Sequence, residues 1–153
     1  VTLKIAVGSD KRMNLTDFVI GELQRRGFEV ELLGSLAGVE REWAEVGREV
    51  AEAVAAGRCD EGILFCWTGT GVCIAANKVP GIRAVLCVDA ETARGARRWN
   101  HANVLVMGLR LTSEPVAKEI LDAWFSTPHG EEEFDVRNVR RIEELERKYS
   151  RVS

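Results

Sequence analysis

Gly62-Ile63-Leu64-Phe65-Cys66-Trp67-Thr68-Gly69-Thr70-Gly71 decides the reading of this chain. An apolar run ends on a cysteine and passes at once into a glycine-rich turn. Beyond it, Val72-Cys73-Ile74-Ala75-Ala76-Asn77-Lys78 reads as a short helix. A strand that runs through a tight turn into a helix N-terminus leaves several backbone N–H groups free at one point. A thiol beside that point feels the positive end of the helix dipole, which favours thiolate. One turn thus supplies a candidate base or nucleophile and donors for a developing oxyanion. A cysteine at a strand end is equally a small buried hydrophobe, so the run alone leaves both readings open. It is not a Walker loop, because Gly-Lys-Ser/Thr is missing. A cysteine phosphatase cradle needs a closing arginine; Val72 stands there, and no arginine follows before Arg83.

On either side the chain alternates strand and helix. Leu3 to Val7 is a first strand, stopped by Gly8-Ser9-Asp10. Leu15 to Arg26 carries Leu15, Phe18, Val19 and Leu23 at a helical period, and Gly27 closes it. Phe28 to Leu33 is a second strand, and Glu42 to Ala56 an Ala- and Val-rich helix. After the Cys66 turn, Pro80-Gly81 leads into a strand from Arg83 to Val88. A helix follows from Ala90 to Trp99, then a strand from Val104 to Met107. Ser113-Glu114-Pro115 opens a helix reaching about Phe125, with proline at an early helical position.

This order predicts an α/β fold, a three-layer Rossmann-like arrangement with a five-stranded parallel sheet covered on both faces. Residues 1–153 form one expected domain. Ligands of such sheets bind beyond the carboxyl ends of the strands. Gly8-Ser9-Asp10, Cys66-Trp67-Thr68, Val88-Asp89 and Gly108-Leu109-Arg110 are therefore expected to converge on one cleft.

A net charge of −3 gives no electrostatic footprint for nucleic acid. No apolar run reaches membrane length and no signal-peptide pattern is present, so no membrane partner is expected. Cys59, Cys66, Cys73 and Cys87 form no Cys-x-x-Cys pair, and only His101 and His129 could join them at a metal. No zinc site is expected, and reduced thiols in a cytoplasmic protein are the default.

The last helix, about 133–150, is unlike a core helix. Val136, Val139, Ile142 and Leu145 are its sparse apolar residues, while Arg137, Arg140 and Arg141 cluster near its start. Arg137 and Arg141 lie one turn apart on one face. Spacing alone fits a solvated face paired with Glu143, Glu144 and Glu146. It also fits a phosphate clamp, because arginine forks match phosphate oxygens.

Taken together, these residues resemble the type B ribose-5-phosphate isomerases and their relatives, the galactose-6-phosphate isomerase subunits. The matching pieces are Ile5 to Asp10, Gly62 to Cys66 and Thr68 to Gly71. Ile74-Ala75-Ala76-Asn77-Lys78-Val79-Pro80-Gly81-Ile82-Arg83-Ala84 is the most specific. Asn100, Ala102 to Leu105, Gly108, Arg110, Arg137 and Arg140-Arg141-Ile142 complete the match, from about residue 3 to 149. The resemblance implies an aldose–ketose isomerase of a small sugar phosphate, working without metal or cofactor. It implies homodimers, in some members tetramers, with active sites at the dimer interface and a C-terminal helix reaching the partner subunit. By the same resemblance Cys66 is the catalytic base between C1 and C2, and Thr68 assists ring opening. The backbone of Gly69, Thr70 and Gly71 holds the enediolate oxygen, and Asp10 and Asn100 contact the sugar. Arg110, Arg137 and Arg141 bind the phosphate, some from the partner.

The chain departs from that pattern in the sugar site. Lys11 follows Asp10 where the family has histidine, and Trp99 precedes Asn100 where it has another. Trp67 replaces the glycine after the cysteine, Glu42-Trp43-Ala44 replaces Asp-Tyr-Pro, and Asn138 replaces the histidine after Arg137. Trp67 and Trp99 are thus expected in a reshaped sugar pocket, with Trp43 nearby. The loss of the ring-opening histidine points away from ribose 5-phosphate toward a sugar that does not cyclise easily, such as a tetrose phosphate. His101 is a candidate substitute for a lost histidine or a helix cap. A sugar-phosphate-binding protein without catalysis is the competing reading. A redox thiol protein is disfavoured by the isolated cysteines.

Overall fold

The computed structural model describes residues 2–150. Its strands are β1 (Lys4–Ser9), β2 (Glu29–Gly34), β3 (Glu61–Cys66), β4 (Ala84–Leu86) and β5 (Val104–Gly108). Its helices are α1 (Asn14–Arg25), α2 (Trp43–Ala55), α3 (Thr70–Asn77), α4 (Ala90–Asn100), α5 (Glu114–Ser126) and α6 (Glu133–Tyr149), with a 3-10 turn at Ser35–Ala37. The sheet is parallel throughout, in the order β2-β1-β3-β5-β4. The alternation of elements is as the sequence predicts, with boundaries shifted by a residue or two. β4 is the shortest strand, pairing over only Ala84 to Leu86. It is an edge strand with one neighbour, and beyond Leu86 the Cys87 N–H still donates to the Val106 carbonyl at 2.9 Å.

Side chains alternate across the central strands and divide the core in two. Ile5, Val7, Ile63, Phe65, Leu105 and Met107 pack with α1, α4 and α5. Ala6, Leu64, Cys66, Val104 and Val106 pack with α2 and α3. β1, β3 and β5 are buried on both faces, as strands of a covered parallel sheet must be. This alternation decides the orientation of Cys66. Its parity with Leu64 sends the thiol to the α3 side, beneath the start of that helix.

One polar network ties the amino end of β3 to α4 and α5. Trp124 is fully buried, and its indole Nε1–H donates to Glu61 Oε1 at 2.7 Å. Arg97 donates to Glu61 Oε2 at 3.1 Å and to the Ala102 carbonyl at 2.7 Å, with its guanidinium 4.8 Å from the Trp124 ring. The two charges of this network pair with each other, which is the condition for burying them, although Arg97 Nε has no partner among the described residues.

Candidate active site

Chain order changes direction between β1 and β3: β1 leads outward to β2, and β3 leads the other way. That switch point is where a parallel sheet opens a crevice at its carboxyl edge. In the register, Ser9 faces Phe65 and Cys66 faces Gly108. Continuing by one residue sets Asp10 beside Cys66. Leu109 N–H donates to the Cys66 carbonyl at 2.9 Å and Arg110 N–H to the Trp67 carbonyl at 3.0 Å. Asp10, Cys66, Trp67, Thr68 and Arg110 are therefore gathered at one edge, as expected. Val88-Asp89 follows β4 at the same edge, two strands away from Cys66. β4 is the outer strand, and the Asp89 carboxylate caps α4, accepting from Thr92 N–H at 2.7 Å. That bond holds its acid below the usual carboxylate range.

The turn after Cys66 is specified by its glycines. Gly69 has φ +79°, and a Cβ there would lie 2.6 Å from Leu86 Cδ1, so only glycine fits. No side chain caps α3. The first amides of that helix, from Thr70 onward, are left to whatever occupies the crevice. Thr68 Oγ1 and Thr70 Oγ1 share a hydrogen bond of 2.7 Å beside them. Trp43 closes one side, its ring packed against the backbone of Gly71.

Two features of this edge were not legible from motif spacing. Asp10 Oδ1 is buried with no hydrogen-bond partner among the described residues. Its backbone is fixed, because Ser35 Oγ donates to the Asp10 carbonyl at 2.8 Å. Lys11 places its ammonium 5.7 Å from the centroid of the Trp67 ring. The resemblance marks Asp10 as a sugar contact and Lys11 as a departure; the orphaned oxygen and the contact with the Trp67 ring are visible only in the fold.

The remaining predicted residues lie elsewhere in the chain. α4 runs antiparallel to the strands, so Trp99 and Asn100 end it at the amino edge of the sheet. There α6 crosses α4 and the 78–83 loop, with Gly81 N–H donating to Glu146 Oε2 at 2.8 Å. Asn100, Trp99, Arg141 and Ile142 line a groove of about 980 Å³ between these elements. Arg137 makes a loose ion pair with Glu133 at 3.7 Å and lies 5.6 Å from the centroid of the Phe134 ring. Among the described residues, Arg110, Arg140 and Arg141 make no ion pair. The pairing with Glu143, Glu144 and Glu146 that would make α6 an ordinary solvated face is thus not formed.

Three tryptophans are partly exposed: Trp43 at 47%, Trp67 at 49% and Trp99 at 55%. They are not core aromatics; Trp124 has that role. Within one chain Trp43 and Trp67 flank the Cys66 edge, whereas Trp99 lies with Asn100 at the far edge. His101 adopts a left-handed conformation, φ 49° and ψ 42°, and caps α4. All four cysteines are free. Burial pushes the thiols of Cys59 and Cys73 up, and that of Cys87 up to about 12, which keeps them protonated. Among the described residues no three His, Cys, Asp or Glu side chains gather as a metal site.

The chain is similar to known proteins over most of its length. The chain is 40% identical over 127 residues to ribose-5-phosphate isomerase B of Escherichia coli, covering 82% of this chain and 85% of that one. It is 39% identical over 124 residues to D-erythrulose-4-phosphate isomerase of Pectobacterium atrosepticum, covering 80% and 82%. The structure of Clostridium thermocellum ribose-5-phosphate isomerase B superposes with a TM-score of 0.90 at 40% identity, over 96% of this chain and 99% of that one. Residues 5–145 match the family model described as Ribose/Galactose Isomerase, and with these relatives the match establishes that the chain belongs to that family.

Proposed function

We propose that this protein interconverts the aldose and ketose forms of a small sugar phosphate through an enediolate, with Cys66 as the base. Its relatives are named as sugar-phosphate isomerases, which supports the reaction class. The observation that carries the assignment is the uncapped start of α3 directly after Cys66. The thiolate takes the proton from the carbon beside the carbonyl, and electrons move onto the carbonyl oxygen. The free amides from Gly69 to Gly71 receive that developing charge without having to reorganise. The thiol then returns the proton to the neighbouring carbon, so atoms and charge balance. The Thr68 hydroxyl assists transfer between the two oxygens. Asp10 accepts from a sugar hydroxyl, which satisfies its lone buried oxygen.

The phosphate handle in this reading comes from Arg110, Arg137 and Arg141. One chain holds the last two, with Asn100, at the opposite edge from Cys66. A twofold homodimer supplies both halves to each site, and the exposed apolar face of α6 supports it: Phe134, Ile142, Leu145 and Tyr149 are 44–73% exposed.

The substrate proposed is a four-carbon sugar phosphate. Trp67 and Trp99 replace smaller or ionisable residues and narrow the sugar site. A tetrose phosphorylated on O4 has no hydroxyl left to close a five-membered ring, so no ring-opening acid is needed. The relative named for D-erythrulose 4-phosphate supports a four-carbon substrate on this scaffold. The test compares kcat/KM on erythrose 4-phosphate and D-erythrulose 4-phosphate with that on ribose 5-phosphate. The expected preference for the tetroses is about 10²-fold or more, the usual scale of one acid–base contribution. Equal or better turnover of the pentose overturns the substrate assignment. Solvent deuterium entering C1 or C2 distinguishes an isomerase from a binding protein, which leaves those carbons unlabelled.

A further inference from the structure

His101 and His129 take no part in the proposed chemistry, yet their rings stack at 4.6 Å with planes 5° apart. Each reaches across to the other's segment. His101 Nε2 lies 2.7 Å from the Gly130 carbonyl, and His129 Nε2 lies 3.4 Å from the Ala102 carbonyl. A carbonyl only accepts, so each Nε2 carries its proton and donates. Gly130 N–H adds a third link, donating to the Arg98 carbonyl at 2.8 Å. The fit leaves no slack. A Cβ on Gly130 would stand 2.5 Å from the Arg98 carbonyl oxygen and 2.8 Å from Asp135 Oδ2. From behind, Arg83 Nε donates to the His101 carbonyl at 2.9 Å.

This contact sits where the chain passes from α5 into α6. Glu133 begins α6 three residues after Gly130, and Arg137 and Arg141 follow within its first turns. On the other side, His101 directly follows Trp99 and Asn100. The stack therefore joins the start of the arginine helix to the end of the helix that carries Asn100.

We propose that His101 and His129 are positioning residues: a reciprocal imidazole clasp that fixes the arginines of α6 relative to Asn100 and opens when the His129 imidazole takes up a proton. Its effect on substrate rests on the phosphate role given above to α6. Protonation leaves both Nε2 donors in place but adds positive charge to a stack of two rings. Arg97 of α4 and Arg83 at the entry to β4 already act on His129 with the same sign. Glu61 offsets Arg97 through their ion pair, and Arg98 lines the His129 cleft. From the α6 side Glu131, Glu132 and Asp135 line that cleft and attract the new charge. Burial and Arg97 prevail, holding the His129 imidazole below its usual value. A lowered histidine contributes stability that is complete above the unfolded value of about 6.5 and is lost as pH falls below it.

The test is hydrogen exchange of the Gly130 amide in the full chain, corrected for intrinsic rates, between about pH 7.5 and pH 5. In the wild type, protection is expected to fall by about tenfold or more across that range. His129→Gln keeps a donor and cannot be charged, so its protection is expected to be near wild type at the upper pH and nearly flat below. His101→Asn tolerates the left-handed backbone but is too short to reach Gly130, so protection is expected to be low throughout. In turnover of D-erythrulose 4-phosphate, KM of the wild type relative to His129→Gln at the same pH is expected to rise about threefold or more on acidification, with kcat moving less. Wild-type protection that does not change with pH, or an equal fall in His129→Gln, overturns the clasp. Exchange that behaves as expected beside an unchanged KM ratio overturns the positioning role. The exchange arm needs no substrate, so it stands or falls separately from the functional reading.

Discussion

Cys66 and Asn100 stand at opposite ends of the sheet. Cys66 closes β3 beside Gly108, whereas Asn100 closes α4 just before β5 begins at Val104. The length of β5 alone separates those ends by roughly 13 Å. A site needing both residues is then completed by a second copy. The check is complementation: Cys66→Ser and an Arg137→Ala/Arg141→Ala variant, each nearly inactive, are unfolded together and refolded. Statistical pairing gives heterodimers with one intact site, and about a quarter of wild-type activity is expected. No recovery in a mixture shown to contain heterodimer contradicts the shared site.

Cys66→Ser is expected to reduce kcat by about 10²–10⁴-fold, the range of general base catalysis. Affinity for erythritol 4-phosphate, which has no carbonyl to enolise, is expected to change little, because the arginines act on the ground state. Turnover assays and calorimetric titration of that alditol phosphate measure the two effects. Activity within a few-fold of wild type removes Cys66 as the base.

Trp99→His restores an imidazole next to Asn100 and opens volume where an exposed indole now stands. Activity on ribose 5-phosphate is expected to rise relative to that on tetrose phosphates, by about tenfold in the ratio of kcat/KM. A ratio unmoved by the substitution means that Trp99 does not face the sugar.

Glu61→Ala leaves Arg97 and the Trp124 indole N–H without their shared partner in the α4–α5 layer. Breaking a largely buried pair of this kind costs about 3 kcal/mol. Denaturant unfolding is expected to show that loss as a lower midpoint at unchanged slope. A change under about 1 kcal/mol would mean that water replaces the carboxylate.

The fold was legible because its information is local. Apolar runs such as Ile63-Leu64-Phe65 have strand length, Gly27 and Pro115 punctuate helices, and strict alternation of the two leaves a covered parallel sheet as the packing solution. The end of β4, read two residues too long, depends on which strands lie beside it, and that is not a local property. Cys66 and its glycine turn were legible for the same reason: strand, thiol and uncapped helix start are contiguous in the chain.

By itself the sequence determined the elements, the Cys66 turn and, through motif resemblance, the family. Tertiary structure alone decided three further matters. It set β5 between β3 and β4, which puts Arg110 beside Trp67 and Asp89 one strand farther out. It used the parity of β3 to aim Cys66 at α3. It also separated Asn100 and the α6 arginines from Cys66 by the length of the sheet, because a helix returning from a parallel strand must end at that strand's amino edge. Adjacency between strands and the direction of a return helix are settled by packing, and no spacing along the chain encodes them.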